Sequence, residues 1–437
     1  MPSSGVSLTM PTALFAALLM RGDPRLAAVK RVDKDGWIAV TLSGTPREIG
    51  YGHGATLAPE IDDAIKAIGY AEKRTTGRSW KWFRDTAKTL YWDKIGPELQ
   101  EEMQGIAEGA ASKGVKIDVW DVLAENAHIE LEGYYLPWTM GQASDKEACS
   151  AMVATGSMTT DGKPVMAHNM WWDYLVGERF RVMLDLRPDK GQRIVMDALP
   201  GFVHSGTDFA INGAGLMVTE TTISGFAGYD PKGIPEFARM RRATQTATTM
   251  DEWVATMKRG NNGGYANTWL LADANTGEIG RLQLGLKVVK YDKKKDGAFV
   301  GSNFPQDPEM IAQEVPGGWD ASPRTNTCEQ RRARWGTLLS ENKGRVDAER
   351  AKGFLADVFD ENLGRVAASD GTLCGIWPDG TGGAVNSKVC TGAMALKMSL
   401  WGRVGVSDGT PRKLAKTGNP YLKDIPSQPW TRFEFAE

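Results

Sequence analysis

The chain has 437 residues, of which 41% are hydrophobic and 24% are charged, with 52 lysines and arginines against 54 aspartates and glutamates. This length and apolar content are sufficient for a globular core of substantial size. The near balance of charge gives no support to binding of nucleic acid or of an anionic membrane surface through net charge.

The first apolar run, from Leu8 to Met20, is interrupted by Pro11. It is too short to span a bilayer, so we expect no stable membrane insertion. It has the length of a signal-peptide core but no lysine or arginine before it, which leaves open whether the chain is secreted, periplasmic or not exported. The four cysteines are widely spaced and match no zinc-ligand pattern. Cys374 and Cys390 would pair only in an oxidising compartment, and the sequence does not decide this.

Helical patterns dominate the first third of the chain. After a predicted strand at Trp37 to Leu42, the clearest helix is Pro97 to Ala110, where apolar residues fall on one face. Asp118 is expected to cap a second helix from Val119 to Ala127.

From Cys149 onward the pattern changes to strands joined by short turns. The first two predicted strands flank a turn at Asp161-Gly162, a dipeptide that favours tight hairpins. Further strands are predicted at 180–186, 193–198, 209–211, 216–222, 268–273, 279–284, 287–291 and 298–301, with helices at 235–245 and 250–258. Helices, then hairpin-linked strands, then helices indicate an α+β layered fold with antiparallel sheets.

Cys149 opens the first strand after the short polar stretch Ser144 to Glu147. A cysteine among apolar neighbours is by default a small core residue. If the Ala148–Cys149 peptide bond were cut, however, Cys149 would carry both a thiol and a free α-amine with an ordinary pKa of about 7.7 to 8.0, suited to act as a base. Such a site needs no separate histidine base.

Two other stretches carry candidate polar residues. In GNNGGYANTWLLAD, residues 260–273, Asn267 heads an apolar strand, where its amide could donate to an oxyanion. The alternative is that Asn267 only closes a turn. The stretch 198–223 contains His204, Asp208 and Glu220, and alone indicates no more than a meander of strands.

Several of these segments resemble, in order, motifs of the phospholipase B-like proteins, a branch of the N-terminal nucleophile hydrolases. They are CSAMV, AHNMWWDY, LPGFVHSGTDF, GLMVTETTI, GGYANTW and Ser322-Pro323-Arg324 before EQRR. Two earlier segments, EIGYGHGATLAPEI and LQEEMQGIAEGAASKGV, are similar to the pro-segment of the related acyl-coenzyme A:6-aminopenicillanate acyltransferases. The resemblance extends from about Gly50 to the C-terminus.

The resemblance implies a four-layer αββα sandwich made as a precursor that cuts itself before its nucleophile. In this chain the cut would fall between Ala148 and Cys149. Residues 1–148 would become an α chain that stays associated with the β chain, 149–437. No metal and no organic cofactor are implied, and the oligomeric state is not predicted.

The resemblance also implies roles for individual side chains. Asn267 matches an oxyanion-hole asparagine, and His168 with Asn169 match a group that orients the α-amine or the attacking water. Arg324 matches an arginine that holds the surroundings of the nucleophile, the alternative being an ordinary surface arginine. Asp208 matches an acidic position behind the site.

Trp171 and Trp172 lie beside the predicted active-site strand and could line an acyl pocket or simply pack in the core. The expected function is cleavage of a carbon–nitrogen amide, or transfer of its acyl group, through a thioester on Cys149. The first alternative is deacylation of glycerophospholipid esters, so the substrate would be a small acyl amide or a lipid. The second is an unprocessed, non-catalytic binding protein on the same fold.

Overall fold

The computed structural model describes residues 23–144, 149–206 and 209–435. Ala148, Asp208 and the apolar N-terminal run all lie outside the described residues. Of the two residues that flank the predicted cut, the described part of the chain therefore contains Cys149 alone.

The first segment is mostly helical, as predicted. Its main helices are α1 (Pro46–Thr56), α2 (Ala58–Thr76), α3 (Trp80–Tyr91), α4 (Gly96–Ser112) and α5 (Val119–Glu130). A π-helical turn, Leu131–Tyr135, and a short helix α6, Leu136–Thr139, follow α5. Asp118 caps α5 through its side chain, which accepts hydrogen bonds from the backbone N–H groups of Trp120 and Asp121. The predicted helices at 97–110 and 119–127 are therefore confirmed.

The strands form two large sheets and one two-stranded ribbon. In chain order they are β1 (Lys30–Lys34), β2 (Trp37–Gly44), β3 (Ser150–Thr155), β4 (Val165–Asp173), β5 (Val182–Pro188), β6 (Ile194–Ala198), β7 (Phe209–Asn212), β8 (Leu216–Thr222), β9 (Asn267–Asp273), β10 (Ile279–Leu284), β11 (Val289–Lys294), β12 (Gly297–Gly301), β13 (Phe359–Asp360), β14 (Arg365–Val366), β15 (Gly382–Thr391), β16 (Ser399–Val404) and β17 (Thr431–Glu434). The larger sheet has the order β1-β2-β5-β6-β7-β8-β9-β10-β11, and the smaller one β12-β3-β4-β15-β16-β17. β2 pairs with β5 in parallel, and the other pairs of both sheets are antiparallel.

The second segment also contains helices. They are α7 (Tyr174–Gly177), α8 (Glu236–Thr246), α9 (Met250–Lys258), α10 (Pro308–Glu314), α11 (Thr327–Glu341), α12 (Ala348–Leu355) and α13 (Gly392–Ala395). Among the described helices, none combines the length and the apolar content needed to cross a lipid bilayer.

Three apolar cores separate four layers. One core lies between the two sheets and joins residues such as Val153 and Met166 to Val195 and Leu270. A second packs the outer face of the nine-stranded sheet against helices α1 to α5, α8 and α9. A third packs the outer face of the six-stranded sheet against α11 and α12. The predicted αββα sandwich is confirmed, and its sheets are antiparallel as predicted except at the parallel β2–β5 pair.

Helices α1 and α4 cross at very short distance because each presents two glycines to the other. Gly50 and Gly54 lie on α1, and Gly105 and Gly109 lie on α4. A β-carbon at position 54 would overlap the carbonyl oxygen of Ile106 on the facing helix. The crossing therefore depends on the absence of side chains at these positions.

We expect Gly54→Ala to destabilise the fold by about 1 to 3 kcal/mol, because overpacking outweighs the gain in helix propensity. The matched control is Gly69→Ala in α2, where the nearest atom to a β-carbon, on Trp80, would be 3.7 Å away. That control should be neutral or stabilising by up to about 1 kcal/mol. Urea unfolding of both variants measures the difference, and equal effects would contradict the proposed cause.

His53 of α1 links the first segment to the loop that follows β6. Its Nε2 accepts a hydrogen bond of 3.0 Å from the backbone N–H of Gly201. Complete burial, with a smaller effect of the Arg241 charge, lowers the pKa of His53 from 6.5 to about 3. The folded chain thus keeps this imidazole neutral where the unfolded chain takes up a proton.

The free energy of unfolding is therefore highest, as far as His53 is concerned, above pH 6.5. It decreases as the pH falls from 6.5 toward the pKa of the folded state, because in that range the unfolded chain binds a proton at His53 and the folded chain does not. Relative to His53→Gln, whose amide oxygen could still accept from Gly201, the wild type should lose about 1.4 kcal/mol per pH unit below 6.5. Denaturant unfolding of both proteins between pH 7.5 and 5 tests this. If the free energies of unfolding of the two proteins changed in parallel with pH, the protonation of His53 would not differ between the folded and unfolded states.

Candidate active site

Cys149 lies immediately before β3, and only 3% of its surface is exposed. Its φ angle is +148°, in a region that residues with side chains rarely adopt. A residue held in such a conformation typically stores about 1 to 3 kcal/mol of strain. The backbone strain thus falls on the residue that the sequence predicts as nucleophile.

The carbonyl oxygen of Cys149 is held by Arg331 of α11. Arg331 Nη1 donates to that oxygen at 2.7 Å and to Asn303 Oδ1 at 3.1 Å. The guanidinium also lies over the ring of Trp171, 4.8 Å from the centroid. Arg331 is 1% exposed, so these contacts are sheltered from water and fix the backbone at Cys149.

His168 and Glu220 meet Cys149 from two other strands. The Cys149 Sγ, a ring nitrogen of His168 on β4 and a carboxylate oxygen of Glu220 on β8 all lie within 4.8 Å of one another. His168 and Glu220 are both fully buried. The structure therefore brings together a thiol, an imidazole and a carboxylate.

The imidazole of His168 is kept neutral by its surroundings. Burial, followed by the positive charge of Lys388, lowers the pKa of His168 well below 6.5. Lys388 lies opposite His168 on β15 and forms a buried ion pair of 2.9 Å with Asp197. Among the described residues, neither ring nitrogen of His168 has a hydrogen-bond partner. The ring can accept a proton only transiently, because its protonated form is strongly disfavoured.

Glu220 adjoins two tyrosines. The hydroxyl of Tyr265 donates to Glu220 Oε1 at 3.2 Å. Burial, followed by the charge of Glu220, raises the pKa of Tyr134 well above 10. Tyr134 stacks edge-on against Tyr265, with ring centroids 6.0 Å apart. Glu220 is therefore a fully buried carboxylate that accepts a hydrogen bond from one tyrosine and raises the pKa of the other.

Asn267 begins β9 and pairs with Thr222 on β8. Thr222 accepts from Asn303 Nδ2 at its carbonyl oxygen (3.2 Å) and at its hydroxyl (2.6 Å), and Asn303 is also the partner of Arg331. Asn267 is thus linked to the surroundings of Cys149 through an unbroken set of contacts. Within the described part of the chain, its amide nitrogen and oxygen are both buried without a partner. A buried amide without a partner costs free energy unless a substrate or water satisfies it.

The glycine-rich loop before Asn267 is held by Glu130 at the end of α5. Glu130 accepts from the side-chain nitrogen of Asn262 and, at 3.1 Å, from the hydroxyl of Tyr229. A β-carbon at Gly264 would overlap the Glu130 carboxylate, which explains the glycine. Burial raises the pKa of Glu130. The first segment of the chain therefore positions the loop that leads to Asn267.

Asn169 and Arg324 have surroundings that differ from those predicted. Asn169 donates to the carbonyl oxygens of Leu355 and Leu373 at 2.7 and 3.0 Å, and accepts from the hydroxyls of Ser387 and Ser407 at 2.8 and 2.7 Å. Its hydrogen-bonding capacity is used in joining β4 to its neighbours. Arg324 is exposed in a turn before α11, and the arginine that contacts Cys149 is Arg331 instead. The structure does not bring Arg324 to the site.

The two tryptophans of β4 point to opposite faces, as alternation along a strand requires. Trp171 is buried under Arg331, and its indole nitrogen donates to Leu373 at 3.3 Å. Trp172 is half-buried and lines a cavity of about 640 Å³ beside α2. Of the pair, Trp172 is thus the one placed to contact a ligand.

Sequence reasoning missed Arg331, Asn303 and the placement of Glu220. Arg331 belongs to the EQRR segment that contributed to the resemblance. Arg331 follows Arg324 by seven residues, and only the position of helix α11 shows which of the two reaches Cys149. Glu220 was visible as an acidic residue within a predicted strand, but its flanking threonines gave no signal that it lies beside Cys149.

A model of the phospholipase B family matches residues 64–333, well over half of the chain. The chain belongs to the phospholipase B family. Members of this family with curated sequences are similar over parts of their length. One is a phospholipase B from Crotalus adamanteus, 28% identical over 40% of this chain and 34% of its own length. Another is the putative phospholipase B-like 2 of Mus musculus, 29% identical over 29% of this chain and 24% of its own.

An uncharacterized protein of Archaeoglobus fulgidus is 28% identical over 60% of this chain and 47% of its own length. The family member described here therefore spans less than half of each of these relatives. Among solved structures, a mutant conjugated bile acid hydrolase from Clostridium perfringens aligns with 66% of this chain and 97% of its own, at 11% identity and a TM-score of 0.34.

Proposed function

We propose that the chain is a self-processing thiol hydrolase whose nucleophile is Cys149. The observation that carries this proposal is the strained, buried Cys149 beside His168 and Glu220. The unpartnered amide of Asn267, which is linked to Cys149 through Thr222, Asn303 and Arg331, supports it. Backbone strain at Cys149 favours cleavage of the peptide bond before it, and a buried hydrogen-bond donor without a partner is suited to stabilise an oxyanion.

The first reaction is cleavage of the chain. The Cys149 thiol attacks the carbonyl carbon of Ala148, the peptide C–N bond breaks, and a thioester replaces it. No α-amine exists before this step, so His168 or Glu220, whose ring nitrogen or carboxylate oxygen lies within 4.8 Å of Sγ, takes the thiol proton and returns a proton to the Cys149 nitrogen as the C–N bond breaks. Water then hydrolyses the thioester, which leaves a carboxylate on Ala148 and a free amine and thiol on Cys149.

The second reaction acts on the substrate. The thiol attacks the substrate carbonyl while the new α-amine of Cys149 takes its proton, since the lowered pKa of His168 makes that ring a poor proton store. Asn267 Nδ2 donates to the oxyanion that forms. The amine or alcohol leaves with a proton, and water or an acceptor amine releases the acyl group from the sulfur.

The two chains are expected to remain together after cleavage. β2, from the first segment, pairs through residues 38–44 with the whole of β5, from the second. Glu130 of the first segment also supports the loop before Asn267. Separation would open the nine-stranded sheet and disturb the site.

The substrate we place first is a carbon–nitrogen amide. Deacylation of a glycerophospholipid ester is the second candidate, favoured by membership of the phospholipase B family and by the name of the Crotalus adamanteus relative. The chemistry at Cys149 is the same for both. They differ in the leaving group, an amine or an alcohol.

Intact mass spectrometry of the wild type and Cys149→Ala tests the proposal. The wild type should yield fragments ending at Ala148 and beginning at Cys149, and Cys149→Ala should remain one chain of about 47.6 kDa. Cys390→Ser, which removes another buried thiol, is the matched control and should be cleaved normally. Equal cleavage of wild type and Cys149→Ala would overturn the proposal.

Substrate class is tested on the processed protein with an N-acyl amino acid, a penicillin and a phosphatidylcholine. Release of free amine identifies an amidase, and release of free fatty acid from the phosphatidylcholine identifies the lipid esterase. A wild-type chain that is neither cleaved nor active would instead support a binding protein on this fold.

A further inference from the structure

The thiol, imidazole and carboxylate beside one another are also the side-chain ligands that zinc takes in proteins. His168 lies on β4, Glu220 on β8, and Cys149 immediately precedes β3, so strands of both sheets position the three residues. Their ligating atoms all lie within 4.8 Å of one another. This grouping differs from the other three cysteines, Cys328, Cys374 and Cys390, for which no such cluster occurs among the described residues.

The state of His168 suits metal binding. Its side chain is fully buried, and neither ring nitrogen has a partner in the described part of the chain. A metal binds the neutral ring through the lone pair of one ring nitrogen. A ligated ion would satisfy a buried nitrogen that the protein leaves unsatisfied.

The distances require only small movements. Zinc bonds of about 2.0 to 2.3 Å in tetrahedral geometry place ligand atoms about 3.5 Å apart. Closing from at most 4.8 Å to that spacing needs shifts on the scale of a side-chain torsion. The strands themselves need not move.

We propose that Cys149, His168 and Glu220 form an inhibitory site for zinc or a similar soft divalent cation. On binding, a metal–sulfur bond replaces the S–H bond of Cys149, and the proton passes to the solvent. The sulfur electron pair is then unavailable to attack a carbonyl, so the ion blocks both self-cleavage and turnover. The cation is an inhibitor here and not a cofactor.

Cleavage would strengthen this site, a step that rests on the proposed function. The freed α-amine and the thiol of Cys149 can bind one ion together in a five-membered chelate ring. With His168 and Glu220 they complete four ligands, the number preferred by zinc. The processed enzyme should therefore be more sensitive to the cation than the precursor.

The experiment is a titration of chelator-treated wild type with Co²⁺, followed by displacement with Zn²⁺. Thiolate ligation gives a sulfur-to-cobalt charge-transfer band that is independent of activity. We expect one equivalent per chain in wild type and in Cys390→Ser, no such band in Cys149→Ser, and affinity lowered by at least about 10- to 100-fold in His168→Asn and Glu220→Gln. Thermal unfolding of each variant checks that it is folded.

Absence of the band in wild type, or the same band in Cys149→Ser, would overturn the proposal. In a parallel assay, Zn²⁺ should stop turnover and a chelator should restore it, and loss of activity on chelation would contradict an inhibitory role. Cobalt binding without self-cleavage would count against the proposed function alone. Self-cleavage without cobalt binding would count against the metal site alone.

Discussion

Asn267→Ala should lower kcat on the processed enzyme's substrate by about 100- to 1000-fold, equivalent to about 2.7 to 4 kcal/mol of transition-state stabilisation. The Asn267 amide is buried at the start of β9 with no partner among the described residues, so its donor is free for the oxyanion. KM should change little, because this contact strengthens only as the carbonyl oxygen acquires charge.

The control for this variant is Asn275→Ala, in the exposed turn at the other end of the same strand. It should leave kcat unchanged. Asn267→Asp adds a stricter comparison, because it keeps the shape of the side chain and removes the donor. A kcat for Asn267→Ala within a factor of about three of wild type would show that Asn267 does not stabilise the transition state.

Arg331→Lys should slow self-cleavage strongly and reduce stability by about 2 to 3 kcal/mol, because hydrogen bonds made by a buried charged group are worth about 1.5 to 3 kcal/mol each. Arg331 bridges the Cys149 carbonyl and Asn303 while covering the ring of Trp171. An ammonium group cannot reproduce this planar arrangement. The rate of fragment formation and the unfolding free energy are the two measurements.

Arg324→Lys is the matched substitution, since this arginine is exposed and lies in the turn that precedes the same helix. It should change stability by no more than about 0.5 kcal/mol and leave cleavage intact. If Arg324→Lys impaired cleavage and Arg331→Lys did not, the assignment made from the resemblance would be right and the contact geometry would be irrelevant to function.

Much of the sandwich could be predicted because its strands are short apolar runs separated by turn residues. β8 and β10 occur at their predicted bounds, and β9 begins one residue early, at Asn267 itself. α9 also has its predicted bounds. In these segments local propensity and tertiary packing favour the same structure.

The C-terminal half of the six-stranded sheet could not be predicted in this way. β15 contains the polar run Asn386-Ser387-Lys388, which indicates a loop when considered locally. In the fold these residues are buried because β15 inserts beside β4, where Lys388 meets Asp197 and Ser387 meets Asn169. Long-range pairing therefore decided the structure of this segment.

Through the resemblance, Cys149, Asn267 and His168 were predictable as candidate site residues, and their roles remain predictions for experiment. Arg331 and Glu220 were not, because their proximity to Cys149 depends on the crossing of two sheets and a helix. Spacing along one chain carries no information on such contacts.

The most direct test is to determine the N-terminal residue of the larger fragment in catalytically active protein. The proposal predicts Cys149 with a free α-amine, which a mass measurement before and after selective amine labelling would show. Full turnover by a protein in which Cys149 is still joined to Ala148, or whose active fragment starts at another residue, would contradict it.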